Sequence, residues 1–376
     1  SQDQIRTHSY DDVNRLLRQI PGVYVREEDG FGLFPNISLR GVDVGRSQKV
    51  TIMEDGITAA PAPYSAPSAY YSPTSGRMDR IEVLKGSSQV KYGPHTTGGV
   101  VNYISTPIPE EQTFYLKGLG GSHNEGRVHA YFGDTLETDI GKVGVLFEEY
   151  YRDNDGFKEL DSTPDFNGDN TGFSKSEPMF KISWESPEDS HYHKIEAKHG
   201  YTDLIANETY LGLSEADFAS NPIRRYAGSR FDQIDTEENR SSLRYSTELN
   251  DSTLLNVTAY RNHFQRNWSK LHDIIKSNGA SESLSGALAA GGNGLDVIRG
   301  TAAGTLRVRN NNRTYEQYGY DSSVNFSFPL AETFHDLEIG FGWHRDYVRR
   351  FQDTISHVQN SSGVITSTTQ SAPGAA

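Results

Sequence analysis

Three side chains at alternate positions of one polar stretch have the types that could bind a metal ion. Asp165, Asn167 and Asp169 match the first, third and fifth positions of a calcium-binding loop. The sixth position is Asn170, where that loop requires glycine, and Glu177 stands one residue past the position of the closing glutamate. The spacing therefore argues against calcium, and we expect no metal site.

The sequence also lacks the residue combinations that catalysis requires. It contains no cysteine, which excludes disulfides, thiol nucleophiles and cysteine-based zinc sites. His191 and His193 form the closest histidine pair, in a turn-like stretch. No acid/base pair or activated nucleophile stands out elsewhere, so we expect a protein that is not an enzyme.

The composition favours a chain that places polar side chains on an inner surface. There are 50 acidic and 36 basic residues, and a net charge of −14 argues against nucleic acid as a partner. The mean hydropathy is −0.65, and no stretch approaches the roughly 18 apolar residues of a membrane helix. A transmembrane β-barrel suits these values, because its lumen is polar, and 21 Tyr and 17 Phe suit its aromatic girdles.

From about residue 112 the hydrophobic pattern has a period of two. Leu337, Ile339, Phe341 and Trp343, for example, alternate with polar residues. About ten such segments are separated by short turns and by long polar loops near 153–173, 205–235 and 269–313. This asymmetry predicts an antiparallel barrel wall, with a soluble β-sandwich or β-helix as the alternative. Residues 359–376 are rich in Ser, Thr and Gly and predict a loop.

The first hundred residues have a different, mixed pattern. Ser9 precedes Val13, Leu16, Leu17 and Ile20 at helical spacing, which predicts a helix that is capped by Ser9 and ends at Pro21-Gly22. Short runs then predict strands at 22–26, 36–40, 49–54 and 80–85. This region therefore predicts a small α+β domain.

Residues 36–107 resemble the plug of TonB-dependent receptors. The shared elements follow in the order of that family: Leu39-Arg40-Gly41, Asp55-Gly56, Arg80–Gly86, Tyr92-Gly93 and Gly98–Asn102. Within the family the chain is most similar to ferric dicitrate receptors, through Pro61–Pro67, Leu213–Phe218 and the strand Arg244–Leu249.

The resemblance implies a plug domain at 1–107 and the first part of a transmembrane barrel at 112–376. The family has about 22 barrel strands, so we expect about ten of them here and a chain that cannot close a barrel alone. It further implies a receptor in the outer membrane of a Gram-negative bacterium, in contact with its lipid, that imports a ferric chelate with energy from the TonB-ExbB-ExbD complex. Iron would be part of the cargo, and no cofactor is expected.

Other cargoes and classes remain open. The same type of receptor could import haem, cobalamin or an oligosaccharide. A passive porin or adhesin is the competing membrane class, but a porin needs no plug. Cell fractionation separates both classes from a soluble β-domain.

The resemblance also selects candidate site residues. Apical loops would bind an anionic chelate, because arginine forks suit carboxylates and tyrosines can line the pocket. The candidate ligand-binding residues are Arg46, Lys49, Tyr64, Tyr70, Tyr71, Arg224, Arg225 and Arg230. The candidate plug–barrel contacts are Arg40, Arg80, Glu82 and Lys85.

Overall fold

The structure is a computed structural model that describes residues 2–59, 71–93 and 96–375. The elements described in its amino-terminal part are short: α1 (Gln2–His8), α2 (Val13–Leu17), β1 (Val23–Arg26), β2 (Asn36–Leu39), β3 (Val50–Glu54), β4 (Ile57–Thr58), β5 (Met78–Leu84) and β6 (Gly99–Ser105). Short 3-10 turns lie at Gly45–Ser47, Ser75–Arg77 and Ser87–Tyr92.

The first helical region differs from the prediction, because two helices replace one. Ser9 takes a left-handed backbone conformation with φ 51° and donates its N–H to the carbonyl of Ile5, so α1 ends there. Asp12, and not Ser9, caps α2: its Oδ1 accepts the N–H of Asn14 at 2.8 Å. The carboxylate nearer to the apolar run therefore acts as the helix cap.

The plug core is a four-stranded sheet in the order β4-β3-β6-β5, in which β3 and β6 are parallel. Ile52, Val101 and Tyr103 are fully buried in it. Gly99 at the start of β6 has φ 147°, and a Cβ there would meet the Leu84 carbonyl oxygen at 2.6 Å, so glycine is required. Strands β1 and β2 form a separate hairpin.

The rest of the described chain is dominated by long strands. They are β7 (Thr113–Gly120), β8 (Gly126–Thr138), β9 (Gly141–Asn154), β10 (Glu159–Leu160), β11 (Phe173–Ser176), β12 (Met179–Glu185), β13 (His193–Ala206), β14 (Arg224–Arg225), β15 (Gln233–Asn250), β16 (Thr253–Lys276), β17 (Ser281–Ser283), β18 (Gly304–Leu330), β19 (Thr333–Gln359), β20 (Ile365–Gln370) and β21 (Gly374–Ala375). Three helices lie between strands: α3 (Glu215–Ser220), α4 (Leu284–Ala290) and α5 (Gly292–Arg299). A 3-10 turn lies at Ala227–Ser229.

Apart from β10 and β14, which pair in parallel as a separate two-stranded sheet, these strands belong to one antiparallel sheet, the wall. Its main order is β20-β19-β18-β16-β15-β13-β11-β9-β8-β7. β12 continues β11 between β9 and β13. Neighbours in the chain are neighbours in the wall, and the apolar residues of β19 from Leu337 to Trp343 face outward and are exposed. The predicted fold class, an α+β domain followed by an antiparallel wall, is confirmed.

Short turns lie at one end of the wall and long connections lie at the other. β8 joins β9 through Asp139-Ile140, and β18 joins β19 through Ala331-Glu332. The long connections are 155–172, 207–232 and 277–303. The third connection is shorter than the predicted loop at 269–313, because β16 and β18 stay paired up to Lys276 and Gly304.

The prediction of a loop over residues 359–376 is wrong, because β20 pairs with the end of β19. The strand contains Ile365, Thr366, Thr368 and Thr369, and their branched side chains favour extended backbone. Among the described residues, none of the helices is both long and apolar enough to cross a membrane.

Candidate functional site

The loop at the top of the plug, on the side of the long connections, is fixed by one carboxylate. Oδ1 of Asp29 accepts the N–H groups of Phe31 and Gly32, each at 2.6 Å, and Oδ2 accepts the N–H of Phe34 at 2.7 Å. Three such bonds hold the loop in one shape. The loop therefore presents its aromatic side chains to the wall in a fixed direction.

Phe34 of this loop lines a pocket between plug and wall. The pocket is lined by Glu28, Asp29, Phe34, Asn36, Arg46, Glu208, Thr209, Tyr210 and Trp268. The Trp268 ring lies 6.1 Å from that of Phe34 and 4.5 Å from that of Tyr210. Nζ of Lys270 lies 4.2 Å from the centre of the Tyr210 ring, so a cation covers the aromatic wall.

The direction of the neighbouring side chains follows from the strand register. Phe264 of β16 and Tyr315 of β18 are paired, and both belong to the buried core of the plug, together with Val348 of β19. These three residues therefore point into the lumen. Because side chains alternate, residues two positions further along each strand also point inward.

This alternation brings basic residues together on the lumen side. Arg266, Arg313 and Arg350 are directly opposite one another on three adjacent strands, one row above Phe264. Two rows higher, Lys270 is opposite Arg309. We call the following residues the basic cluster: Arg46, Arg266, Lys270, Arg309, Arg313 and Arg350.

The backbone conformation of Arg46 places this plug residue beside the basic side chains of the wall. It adopts φ 56°, and its N–H donates to Oδ1 of Asn36 at 2.7 Å, which places the residue on the pocket wall. Lys270 lies in the electric field of both Arg46 and Arg266. Lys49, on the same plug loop, is exposed and does not line the pocket.

Of the three candidate tyrosines, Tyr64 and Tyr70 lie outside the described residues. Tyr71 is only 3% exposed and lies in the plug core. Its ring faces Phe264 and lies 4.9 Å from the guanidinium carbon of Arg240. The structure therefore places Tyr71 between plug and wall, below the pocket.

The three arginines of the 207–232 connection hold the loops together. Arg224 is paired with Asp161 and with Asp217, both at 2.8 Å. Arg225 is buried and donates to the carbonyls of Asn207, Ser229 and Asp232. The structure therefore does not bring Arg224 and Arg225 into the pocket beside Arg46.

Arg230 connects two further loops. Its Nη1 donates to Thr163 at 2.8 Å and its Nη2 to the Gly363 carbonyl at 3.3 Å. The calcium-like stretch beside it is used in the same way, since Asp165 accepts from Thr163 and from the N–H of Ile365. In the described part of the chain, no group of three or more His, Asp or Glu side chains could hold a metal ion.

A buried carboxyl group gives the pocket a pH-sensitive charge. Glu208 is 6% exposed, and burial raises its pKa to about 7. The positive charge of Lys158 opposes this rise, and the negative charges of Asp29 and Glu28 add to it. Asp232, at the end of the same connection, is also buried, which raises its pKa to about 6. The negative charge of the pocket therefore grows between pH 6 and 8.

The contacts between plug and wall are made by residues other than the candidates. Arg40 donates to Gln89 and Thr97, Lys85 donates to the Pro21 carbonyl, and Arg80 is paired with Glu82. All of these partners are plug atoms. Among the described residues, these four candidates bond to plug atoms and not to the wall strands of this chain.

The observed plug–wall network has Glu54 of β3 at its centre. Its carboxylate accepts from Arg77 of the plug at 2.9 Å, from Arg240 of β15 at 2.6 Å and from Lys198 of β13 at 2.5 Å. Arg77 is also paired with Glu177 before β12 at 3.3 Å. Burial alone would raise the pKa of Glu54, but Arg240, Arg77 and Lys198 hold it well below its usual range.

The sequence interpretation selected Arg46 but missed the other members of the basic cluster and all of this network. Arg266, Arg313 and Arg350 stand two positions from Phe264, Tyr315 and Val348, so each shares a strand face with an apolar residue. The sequence alone does not mark this face as the inner one. Glu54 directly precedes the Asp55-Gly56 turn, but nothing in the sequence indicates its partners.

Comparison with known proteins agrees with this architecture. The family model of the TonB-dependent receptor plug domain matches residues 1–100. The vitamin B12 transporter BtuB of Photobacterium profundum is 25% identical over 270 residues, covering 67% of this chain and 41% of that protein. BtuB of Vibrio cholerae serotype O1 is 33% identical over 106 residues, covering 28% and 17%.

Two solved structures share the fold across nearly the whole chain. The ferric citrate transporter FecA in its unliganded form gives a TM-score of 0.63 at 19% identity, covering 96% of this chain and 48% of FecA. The outer-membrane ferripyoverdine receptor of Pseudomonas aeruginosa, bound to ferripyoverdine, gives 0.64 at 13% identity, covering 97% and 45%. The chain thus spans about half the length, or less, of the proteins that it matches.

Proposed function

Because the chain forms the plug and adjoining wall of a TonB-dependent receptor of the Gram-negative outer membrane, we propose that the whole receptor imports an anionic ferric chelate. Ferric dicitrate, or another ferric siderophore rich in carboxylates, is the ligand class. Iron is carried within the chelate, so the protein itself needs no resident metal.

The observation that carries this proposal is the basic cluster. Three arginines stand opposite one another on adjacent strands, which concentrates positive charge on this part of the lumen surface. A surface lined by one sign of charge attracts a ligand of the opposite sign, here a polyanion. Each guanidinium can also donate two parallel hydrogen bonds to a carboxylate, which sets orientation as well as affinity.

The elements around the basic cluster would complete the binding site. The Asp29 loop presents a rigid floor, and Tyr210 and Trp268 provide an apolar side wall. The long connections, held together by Arg224, Arg225 and Arg230, form the rim. Import then requires the plug to leave its ion pairs with the wall, and we propose that the TonB-ExbB-ExbD complex supplies the work.

Cobalamin is the second candidate, because two of the relatives are vitamin B12 transporters. A corrinoid would depend on the aromatic wall and on shape more than on several arginines. Haem and an oligosaccharide are tested in the same titration, and passive diffusion is tested by uptake in cells without TonB.

The test uses the full-length receptor and two variants. Ferric citrate, another anionic ferric siderophore, haem, cyanocobalamin and a maltodextrin are each titrated by calorimetry. We expect an anionic ferric chelate to bind and the R313A/R350A variant to weaken it by roughly 10- to 100-fold for each arginine that bonds the ligand. The matched control is R307A, an arginine of β18 that is paired with Asp273 above the chamber.

Two results would overturn the proposal. The first is tight binding of cyanocobalamin, haem or maltodextrin with no binding of either ferric chelate. The second is chelate affinity that is the same in R313A/R350A as in the parent. Uptake that continues in cells without TonB would contradict active import and favour a porin.

A further inference from the structure

One carboxyl group in the pocket between plug and wall is left without a protein partner. Glu208 follows the end of β13 at Ala206, and its side chain is 6% exposed. In the described part of the chain, neither of its carboxyl oxygens has a hydrogen bond or an ion pair. Burial without a partner disfavours the ionised form of a carboxyl group, so Glu208 favours its neutral form.

The residues on both sides of Glu208 hold it beside the pocket. The carbonyl of Asn207 accepts a hydrogen bond from Arg225, and the hydroxyl of Thr209 donates to Oδ2 of Asp232 at 2.6 Å. The backbone before and after Glu208 is therefore fixed. Its side chain stays in the lining of the pocket.

The other two carboxylates that line this pocket are bonded to plug atoms. Asp29 accepts three backbone N–H groups of its own loop, and Oε2 of Glu28 accepts from Nδ2 of Asn36 at 2.7 Å. Among the described residues, Glu208 is therefore the carboxyl group of the pocket whose oxygens are available to a ligand.

The charges around Glu208 favour an anionic partner over a cationic one. The charged groups that act on it or line the same pocket are Glu28 and Asp29 before β2, Arg46 before β3, Lys158 in the 155–172 connection and Arg225 in its own connection. Lys270 of β16 lies over the ring of Tyr210 in the same lining. The two ionised carboxylates are matched by Arg46 and Lys270, and the other arginines of the basic cluster leave an excess of positive charge, which attracts an anion.

The size of the pocket limits what can enter it. The cavity has a volume of about 30 Å³, which is room for roughly two or three water-sized groups. The two oxygens of one carboxylate fit this space, but an iron centre with all its ligands does not. The iron centre of a chelate would therefore stay outside the pocket, beside the basic cluster.

We propose that Glu208, in its neutral form, recognises one free carboxylate arm of the imported chelate by donating its hydroxyl hydrogen to that arm. A neutral carboxyl group is a hydrogen-bond donor, and a bond from O–H to a carboxylate is among the stronger hydrogen bonds. Arg46 supplies positive charge in the same lining. This recognition rests on the proposed function and narrows the ligand class to ferric chelates that keep one carboxylate uncoordinated by iron.

Binding of such a chelate takes up a proton from the solvent. Burial raises the pKa of Glu208 to about 7, so part of the receptor population carries an ionised Glu208 at neutral pH. The entering carboxylate makes that ionised form still less favourable, and a solvent proton then forms the O–H bond of Glu208. If ionisation of Glu208 weakens chelate binding roughly fivefold between pH 6 and pH 8, linkage requires the uptake of about half a proton at pH 7.5.

The test measures this proton by calorimetry on the full-length receptor. Ferric dicitrate and a second ferric carboxylate siderophore are titrated at pH 7.5 in two buffers of different ionisation enthalpy, and the difference in heat gives the protons taken up. We expect about half a proton more for the parent than for E208Q, because the glutamine amide donates a hydrogen bond without a proton from the solvent. The matched control is E215Q, an exposed glutamate of α3 in the same connection, which should take up as many protons as the parent.

Affinities at two pH values separate recognition from misfolding. E208Q should bind the chelate as tightly as the parent at pH 6 and about fivefold more tightly at pH 8, a gain that a misfolded variant cannot give. E208L, which has no donor, should bind roughly tenfold more weakly than the parent at pH 6. A neutral ferric trihydroxamate, which has no free carboxylate, should give the same proton count in the parent and in E208Q if it binds.

Three results would overturn the proposal. Chelate binding with equal proton uptake in the parent and E208Q would remove the role of Glu208 and leave the proposed function intact. Proton release on binding, or parent affinity that rises from pH 6 to pH 8, would show that the pocket takes a cationic group instead. Absence of binding by both carboxylate chelates would overturn the proposed function as well.

Discussion

Replacing Glu54 by glutamine should loosen the plug within the wall. The side chain keeps its size but loses the charge that pairs with Arg77, Arg240 and Lys198. Arg77 keeps Glu177, and Lys198 keeps Asp55 at 2.6 Å, so Arg240 loses most.

The magnitude follows from the burial of this network. The Glu54 side chain is 3% exposed, and removing one partner of a buried ion pair costs about 3–5 kcal/mol. Because Arg77 and Lys198 each keep another carboxylate, we expect E54Q to cost an amount near the lower end of this range, about 3 kcal/mol. The population of plug detached from the wall should therefore rise more than a hundredfold.

Hydrogen exchange in the full-length receptor measures this population. Amides of β3 and β6 are bonded within the plug sheet and exchange when the plug unfolds. A plug that has lost its contact with the wall unfolds more readily, so these rates should rise in E54Q. The control is E82Q, because Glu82 pairs with Arg80 inside the plug. Parent-like exchange in β3 of E54Q, or an equal rise in E82Q, would refute the reasoning.

The same carboxylate predicts an acid limit to plug retention. The pKa of Glu54 is lowered in the folded state from an ordinary value of 4.5. Its stabilisation is therefore fully present above pH 4.5 and is lost as the pH falls from there toward the folded value. Exchange of β3 should accelerate below pH 4.5 in the parent and change less in E54Q.

Three further predictions concern the pocket, the plug contact and the loops. Burial raises the pKa of Glu208 to about 7, so this side chain gains a negative charge between pH 6 and pH 8. One added charge should lower the chelate affinity roughly fivefold over that range. In E208Q the fall in affinity that Glu208 causes should be absent. G76A should lower the stability of the plug by about 1–3 kcal/mol in thermal melts, because a Cβ there overlaps Asp11 and Tyr150. R225A leaves buried carbonyls unpaired, so protease cleavage in 207–232 should accelerate about tenfold or more.

Each of these three predictions has a control. If the chelate affinity of E208Q and that of the parent depend on pH in the same way, Glu208 is not the source of the pH dependence. G118A is the control for G76A, because a Cβ at Gly118 has open space, and equal melting of the two variants would contradict the overlap. R225K keeps the charge but not the fork and should be cleaved at an intermediate rate; unchanged cleavage in R225A would mean that the loops do not depend on these bonds.

The wall was predictable because its signal is local. Alternation of Leu337, Ile339 and Phe341 with polar residues is visible within seven residues and assigns both the strand and its two faces. The signals of the plug strands were equally local, but helix α1 was not predicted, and the cap of α2 was assigned to Ser9 in place of Asp12.

The candidate site was harder to predict, because it depends on register between distant strands. Arg266, Arg313 and Arg350 meet only after three strands are paired, and one residue of slippage would turn any of them outward. Loop composition selected Arg224 and Arg225 as free cations, but it could not show that Asp217 and nearby carbonyls bind them.

The plug–wall network has a consequence for the order of assembly. Glu54 is 144 residues from Lys198 and 186 residues from Arg240 along the chain, whereas the wall hairpins pair neighbours. Contacts between distant residues form slowly, because a long loop must close before they stabilise anything. The plug must therefore stay beside the growing sheet until β13 and β15 are in place. We expect the joining of plug and wall, more than the pairing of successive strands, to set the pace at which this receptor matures.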